Sequence, residues 1–146
     1  MPKAGVHKDF HGAFSFCLKY VADNYGNEAA EEYLRRMALT VFQPLIARIC
    51  REGLPALHAH WKKVFEDEEA DFKLEWNADR SELMLHVNRC PALEHIRTAG
   101  YPLWDRFCEH TRIVNEAVCE AAGITASVEY DQDAARCVQR FRKEGA

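Results

Sequence analysis

Three cysteines in the second half of the chain are the residues best suited to chemistry. Cys90 precedes a proline at the predicted end of a strand, Cys108 lies near the predicted start of a helix, and Cys137 lies in the last predicted strand. A thiolate is both a nucleophile and a soft metal ligand. The spacings between the three residues are long and contain no CxxC motif, so both roles stay open.

Cys90 is the candidate nucleophile. The proline that follows keeps its backbone extended, and thiols at strand ends are well placed to meet a ligand. If no bulge intervenes, strand alternation puts His86 and Asn88 on the same face as Cys90. A neighbouring imidazole can lower the thiol pKa and activate the sulfur. The alternative is a buried thiol that packs as a small apolar group.

Histidines provide the candidate acid–base groups. His86, His95 and His110 flank the two central cysteines, and an imidazole titrates near neutral pH. His7 and His11 are four residues apart, so on one helix they would face the same way and suit a metal. The alternative for this pair is a solvated helix start.

Metal binding depends on which side chains meet in space. Cys90, Cys108 and Cys137 would bind zinc or an iron–sulfur cluster if they converge, and His7 with His11 is the other candidate set. Otherwise we expect no cofactor. The sequence contains no Walker loop, GxGxxG, HExxH or GxSxG motif, which removes the commonest nucleotide-binding and hydrolase signatures.

The first half of the chain is predicted to be helical. Helical spacing of apolar residues predicts a helix over 8–25, capped by Asp9. Its buried stripe would be Phe10, Phe14, Cys17, Leu18 and Val21. A second helix over 28–52 should kink or split near Val41, because Pro44 cannot donate a helical hydrogen bond. A third helix covers about 55–69.

The second half changes to alternating apolar residues. We predict strands at 71–76, 82–88, 124–130 and 136–141, and a helix over 103–122. The fold class is therefore α+β, with the N-terminal helices packed on a four-stranded antiparallel sheet made of two hairpins with a helix between them. Residues 1–146 form one domain, mainly helical over 1–70 and hairpin–helix–hairpin over 71–146.

The composition limits the classes of partner that the chain could bind. The 146 residues have a net charge of −4, which argues against a nucleic-acid partner. No signal-peptide h-region and no membrane-length apolar run occurs, so we expect a cytoplasmic protein with reduced cysteines and no membrane partner. The aromatic-rich helices leave room for a homo-oligomer.

The second half of the chain resembles the L-2-amino-thiazoline-4-carboxylic acid hydrolase family. The resemblance lies in VNRCP at 87–91, Gly100, Phe107–Cys108 and CVQRF in the closing hairpin, and the N-terminal helices are similar too. The chain departs from the family where an acidic residue is usual, at Thr111, and where a glycine is usual, in Ala134–Ala135–Arg136. We therefore expect a divergent member.

The resemblance implies a hydrolase that cleaves a non-peptide C–N bond in a small cyclic amidine-like substrate of the 2-aminothiazoline-carboxylate type. A Cys90 thiolate or an activated water would attack, with His86 or His110 as base. The residues that would bind the substrate are Asn88, Arg89, Arg106, Cys108, Asn115 and Cys137, the arginines through a carboxylate.

Two other functions stay open. The same layout is similar to small-molecule or metal-binding sensor domains of the vinyl-reductase type, in which Cys90, Cys108 and Cys137 would be the ligands. An interaction protein whose cysteines all lie in the core is the third.

Overall fold

The computed structural model describes residues 7–144. Four helices come first: α1 (Asp9–Tyr25), α2 (Asn27–Val41), α3 (Gln43–Glu52) and α4 (Leu54–Asp67). The remaining elements are β1 (Asp71–Trp76), β2 (Glu82–Arg89), α5 (Pro91–Ala99), α6 (Glu109–Ala121), β3 (Ile124–Asp131) and β4 (Arg136–Lys143). The predicted split of the long helix is confirmed, because α2 ends before Pro44 and α3 has this proline in its first turn.

The four strands form one antiparallel sheet in the order β1-β2-β4-β3. Leu83, Leu85 and Phe141 alternate on the face that packs against the helices, and all three are fully buried. Their neighbours Met84 and His86 are half-buried on the opposite face. The predicted α+β fold, with helices on a sheet of two hairpins, is confirmed.

Two helices, rather than one, separate the hairpins. Pro91 begins α5, and Gly100 ends it in the left-handed conformation at φ 72°. The predicted helix over 103–122 begins only at Glu109, because polar groups from other segments bind the backbone before it. The Trp104 amide donates to Ser15 Oγ (3.0 Å), and the Cys108 amide donates to Gln132 Oε1 (2.9 Å).

The predicted buried stripe of α1 is confirmed only in part: Leu18 is buried, and Phe14 and Val21 are half-buried and pack against the core. Gly12, Ser15 and Leu18 are the buried residues of this helix, and Phe10 is 55% exposed. Small residues face inward because α1 lies directly on the loop after α5. A Cβ on Gly12 would lie 2.5 Å from Tyr101 Cδ2, so no larger residue fits without moving that ring.

Within residues 7–144, none of the helices has both the length and the apolar run needed to cross a bilayer.

Truncation of Phe141 tests the core. This side chain is fully buried at the centre of the sheet, so Phe141→Ala should lower the free energy of unfolding by about 3–5 kcal/mol. Val41→Ala is the control, because Val41 is 61% exposed and its truncation should change stability by less than about 0.5 kcal/mol. Urea unfolding measures both. Equal effects would contradict the packing described above.

Candidate functional site

A β-bulge at the end of β2 decides where the Cys90 thiol lies. Phe72 pairs with Val87 and Asp71 pairs with Arg89, so Asn88 is an extra residue in β2. An extra residue reverses the alternation of side chains beyond it. Cys90 therefore packs against the core on the helix side, whereas His86 stays on the opposite face of the sheet.

The structure brings Cys90, Cys108 and Cys137 near one another. Cys137 pairs with Val87 on the helix side of the sheet, and the Cys90 amide donates to Ala135 O (2.7 Å) in the turn just before β4. Burial raises the pKa of the Cys108 thiol to about 12, and the adjacent Cys90 and Cys137 sulfurs add to this increase.

Burial also shifts the pKa values of the other two thiols. It raises the pKa of Cys90, although the Leu93 and Ala92 amides at the start of α5 and the Arg97 guanidinium oppose the increase. Burial likewise raises the pKa of Cys137, partly offset by Gln139, whose Nε2 donates to the sulfur (3.5 Å). All three cysteines are therefore protonated thiols at neutral pH.

The candidate metal ligands do not form a coordination cluster. Among residues 7–144, no group of three or more His, Cys, Asp or Glu side chains has the geometry of a metal site. His7 and His11 instead contact different carboxylates. His7 Nδ1 lies 3.6 Å from Asp9 Oδ2, and His11 Nε2 is hydrogen bonded to Glu68.

His86 and His110 have other partners than Cys90. His86 Nε2 donates to Glu75 Oε2 (2.9 Å) on the outer face of the sheet. The His110 ring contacts the Phe107 ring, and its Nδ1 donates to Phe107 O (2.5 Å). Desolvation lowers the pKa of His110 to about 4, against the hydrogen bond that favours its charged form.

Three predicted substrate-binding residues lie apart from the thiols' immediate surroundings. Asn88 is exposed and donates to Asp71 Oδ1 (3.2 Å). Arg106 Nη2 lies 3.1 Å from Glu31 Oε1, so its charge is already paired. Asn115 is buried in the core, where its Nδ2 donates to Gln139 Oε1 (2.7 Å).

A polar cleft of about 270 Å³ opens beside Cys90, between the start of α1, the end of α4 and α5. The two neighbours of Cys90 in the chain, Arg89 and Pro91, lie in its wall. The lining residues are Lys8, Glu68, Glu69, Ala70, Arg89, Pro91, Glu94, His95 and Thr98. Arg89 Nε lies 2.9 Å from Glu94 Oε2, but both side chains stay about half exposed.

His95 is fixed in the wall of this cleft by Asp9. His95 Nε2 and Tyr101 Oη both donate to Asp9 Oδ1, each at 2.8 Å. These bonds lower the pKa of Asp9, so the carboxylate is charged at neutral pH. Asp9 is not the helix cap that the sequence predicts; Lys8 occupies the cap position without a side-chain bond.

Most cleft residues were not predicted as site residues. Lys8, Glu68 and Thr98 belong to three separate segments, and no local motif connects them. Arg89 and His95 are the cleft residues named above as candidates, the first for a substrate carboxylate and the second for acid–base work. The start of α5 after Cys90–Pro91 is the local motif in the sequence that lies next to the cleft.

Neither the known protein families nor the characterised proteins compared with this chain provide a match.

The depressed pKa of His110 predicts acid sensitivity. The folded state holds the ring neutral down to about pH 4, whereas the unfolded chain takes up the proton near pH 6.5. Stability from this group is therefore fully present above pH 6.5 and is lost as the pH falls toward 4, by up to about 3 kcal/mol. In His110→Gln, the fall in unfolding free energy between pH 7 and pH 4.5 should be smaller; an unchanged pH dependence would contradict the assignment. His7→Gln is the exposed-histidine control.

The raised thiol pKa values predict selective labelling. Cys50 is exposed, whereas Cys108 and Cys119 have pKa values raised to about 12 by burial. In the native protein at pH 8, iodoacetamide should modify Cys50 first and leave Cys90, Cys108, Cys119 and Cys137 largely unmodified until denaturant is added. Peptide mass spectrometry resolves the sites. Rapid native labelling of Cys90 would show that its thiol is accessible and ionised.

Proposed function

We propose that the chain hydrolyses a C–N bond in a small cyclic amidine-like carboxylate of the 2-aminothiazoline-carboxylate type. The observation that best supports this proposal is the cleft beside Cys90, whose wall contains an imidazole fixed by a carboxylate. The sequence resemblance described above agrees with it. A cleft of about 270 Å³ lies just below the usual range for ligand pockets, so it suits a substrate of amino-acid size.

Charges of both signs in the cleft match such a substrate. Arg89 and Lys8 offer cationic groups for the substrate carboxylate, and a guanidinium binds a carboxylate through two parallel hydrogen bonds. Glu68 contacts His11 through Oε1 and Glu94 contacts Arg89 through Oε2, so each has a second carboxylate oxygen for the amidine, which is a cation at neutral pH. A zwitterionic substrate would thus be oriented across the cleft before reaction.

His95 is the proposed general base. Its Nε2 donates to Asp9, so in the neutral ring Nδ1 has the free lone pair. Nδ1 would take a proton from a water as the water oxygen bonds to the amidine carbon. As the C–N bond breaks, the ring returns this proton to the departing nitrogen, the hydroxyl proton leaves to solvent, and the carbon–oxygen bond becomes a carbonyl. Water is consumed, and no oxidant or metal is needed for this balance.

The water route fits the described geometry better than the thiolate route. Within residues 7–144, neither His86 nor His110 is hydrogen bonded to the Cys90 sulfur, and burial raises the pKa of this thiol. Attack by Cys90 would first require removal of its proton inside the core. We therefore keep Cys90 as the alternative nucleophile, with His86 or His110 as the alternative base.

The second candidate is a binding or sensor domain. The observation that favours it is the group of protonated, half-buried thiols, which is inert at neutral pH and suits packing against a ligand better than attack on one. In that case the cleft would bind a zwitterion without turnover, and zinc or iron would be sought on Cys90, Cys108 and Cys137.

We further propose a cytoplasmic location, because all six cysteines are free thiols.

Turnover of 2-amino-thiazoline-4-carboxylate, followed by chromatography, tests the proposal. His95→Gln should lower kcat by about 10²–10⁴-fold, because it removes the base. Arg89→Gln should mainly raise KM. A substrate analogue without the carboxylate should bind the wild-type protein as weakly as the full substrate binds Arg89→Gln. His58→Gln is the matched control, since His58 stacks on Trp76 and does not line the cleft.

Two further variants distinguish attack by water from attack by the Cys90 thiolate. Cys90→Ala should keep most of the activity, and a complete loss with the fold intact would favour the thiolate route instead. His86→Gln tests the alternative base. Binding of the substrate by calorimetry, without turnover by any preparation, would replace the hydrolase with the sensor domain.

A further inference from the structure

An apolar patch covers the outward face of α1 and the adjoining edge of α2. It consists of Phe10, Ala13, Phe16, Cys17 and Tyr20 on α1 and of Tyr33 on α2. Phe10, Phe16 and Tyr20 are each more than half exposed, and Tyr33 is 39% exposed. Because the opposite face of α1 already packs on the core through Leu18, this helix is apolar on two sides, which is typical of a helix covered on both.

The spacing of the patch is that of a helix–helix seam. Phe10, Ala13, Cys17 and Tyr20 are separated by three, four and three residues, as are the a and d positions of a heptad repeat. Such residues form a narrow stripe along one side of the helix. The neighbouring Phe16 widens this stripe between Ala13 and Tyr20.

The order of side-chain sizes along the stripe is symmetric. Two aromatic residues, Phe10 and Tyr20, stand at its ends, and two small residues, Ala13 and Cys17, stand between them. In an antiparallel pair of identical helices, Phe10 meets the partner's Tyr20 and Ala13 meets the partner's Cys17. An isologous interface requires this kind of self-complementarity. Small central residues also allow the helix axes to approach closely.

The exposed area is consistent with a dimer contact. With about 200 Å² for a whole aromatic side chain, the four exposed aromatic residues present roughly 400 Å² per protomer. That is half of the ~800 Å² that each partner contributes to an interface of standard size, before Ala13, Cys17 and the flanking side chains are added. A patch of this size matches the largest apolar patch of a typical monomer, which is often functional.

We propose that this patch pairs with the same patch of a second copy of the chain. Two α1 helices would pack antiparallel across a two-fold axis midway between Ala13 and Cys17, with α2 of each protomer alongside, so that the four helices form a bundle. Aromatic side chains at both ends of the seam would be buried, and the cleft at the start of α1 would be present twice. This proposal does not depend on the proposed hydrolase activity.

Ala13→Arg tests the pairing by sedimentation equilibrium over a wide range of protein concentrations. Wild type should be a dimer, and the variant should raise the dimer Kd about 100-fold or more, because two unpaired charges are buried near the axis. Ala47→Arg is the matched control, since Ala47 is an exposed helical alanine on α3, outside the patch. It should leave the Kd unchanged.

A mixture of Ala13→Arg and Ala13→Glu proteins should regain dimers, because the opposite charges then lie on adjacent layers of the seam and attract each other. Circular dichroism checks that the variants keep their helices, and Tyr20→Glu replaces Ala13→Arg if that protein fails to fold. A monomeric wild type, a dimeric Ala13→Arg protein, or equal weakening by Ala47→Arg would each overturn the proposal. A monomeric Ala13→Arg protein beside a dimeric Ala47→Arg protein would support it.

Discussion

The turn between β3 and β4 is the contact point on which the second half of the molecule depends. The Gln132 side chain accepts from the Cys108 amide and donates to Trp104 O and Asp105 O, so it takes the place of helical bonds in that loop. Arg97 of α5 donates to the Gln132 and Asp133 carbonyls. One four-residue turn thus fixes α5, the loop before α6 and the last strand relative to one another.

This arrangement separates two chemical environments only a few residues apart. On the core side of α5, desolvation keeps Cys90, Cys108 and Cys137 protonated, and few partners are present that would stabilise a thiolate. On the other side, the cleft is polar, and its imidazole has a carboxylate partner in Asp9. The cysteines are the first candidates in the sequence, but the groups able to exchange protons with a ligand lie in the cleft.

Much of the fold follows from local patterns. Alternation predicted β1 at its observed bounds, and Pro44 predicted the break between α2 and α3. The inward side of α1 was predicted at Leu18 but not at Phe10, because an aromatic residue indicates an apolar face without saying which surface it meets. The bulge at Asn88 has no local signature either, since it arises from pairing with β1. The cleft depends on tertiary contacts among three segments, which periodicity does not encode.

The attachment of α1 has a consequence for the motions of the molecule. Leu18 is the one large side chain that this helix buries completely; the other buried positions are Gly12 and Ser15, and Asp9 is bound by surface hydrogen bonds. Since this helix packs on α2 and α5, we expect it to open as a local unit at a lower free energy than the sheet. Each opening would remove one wall of the cleft and the partner of His95. Detachment of the first helix would therefore lower the population of assembled clefts while the sheet stays folded.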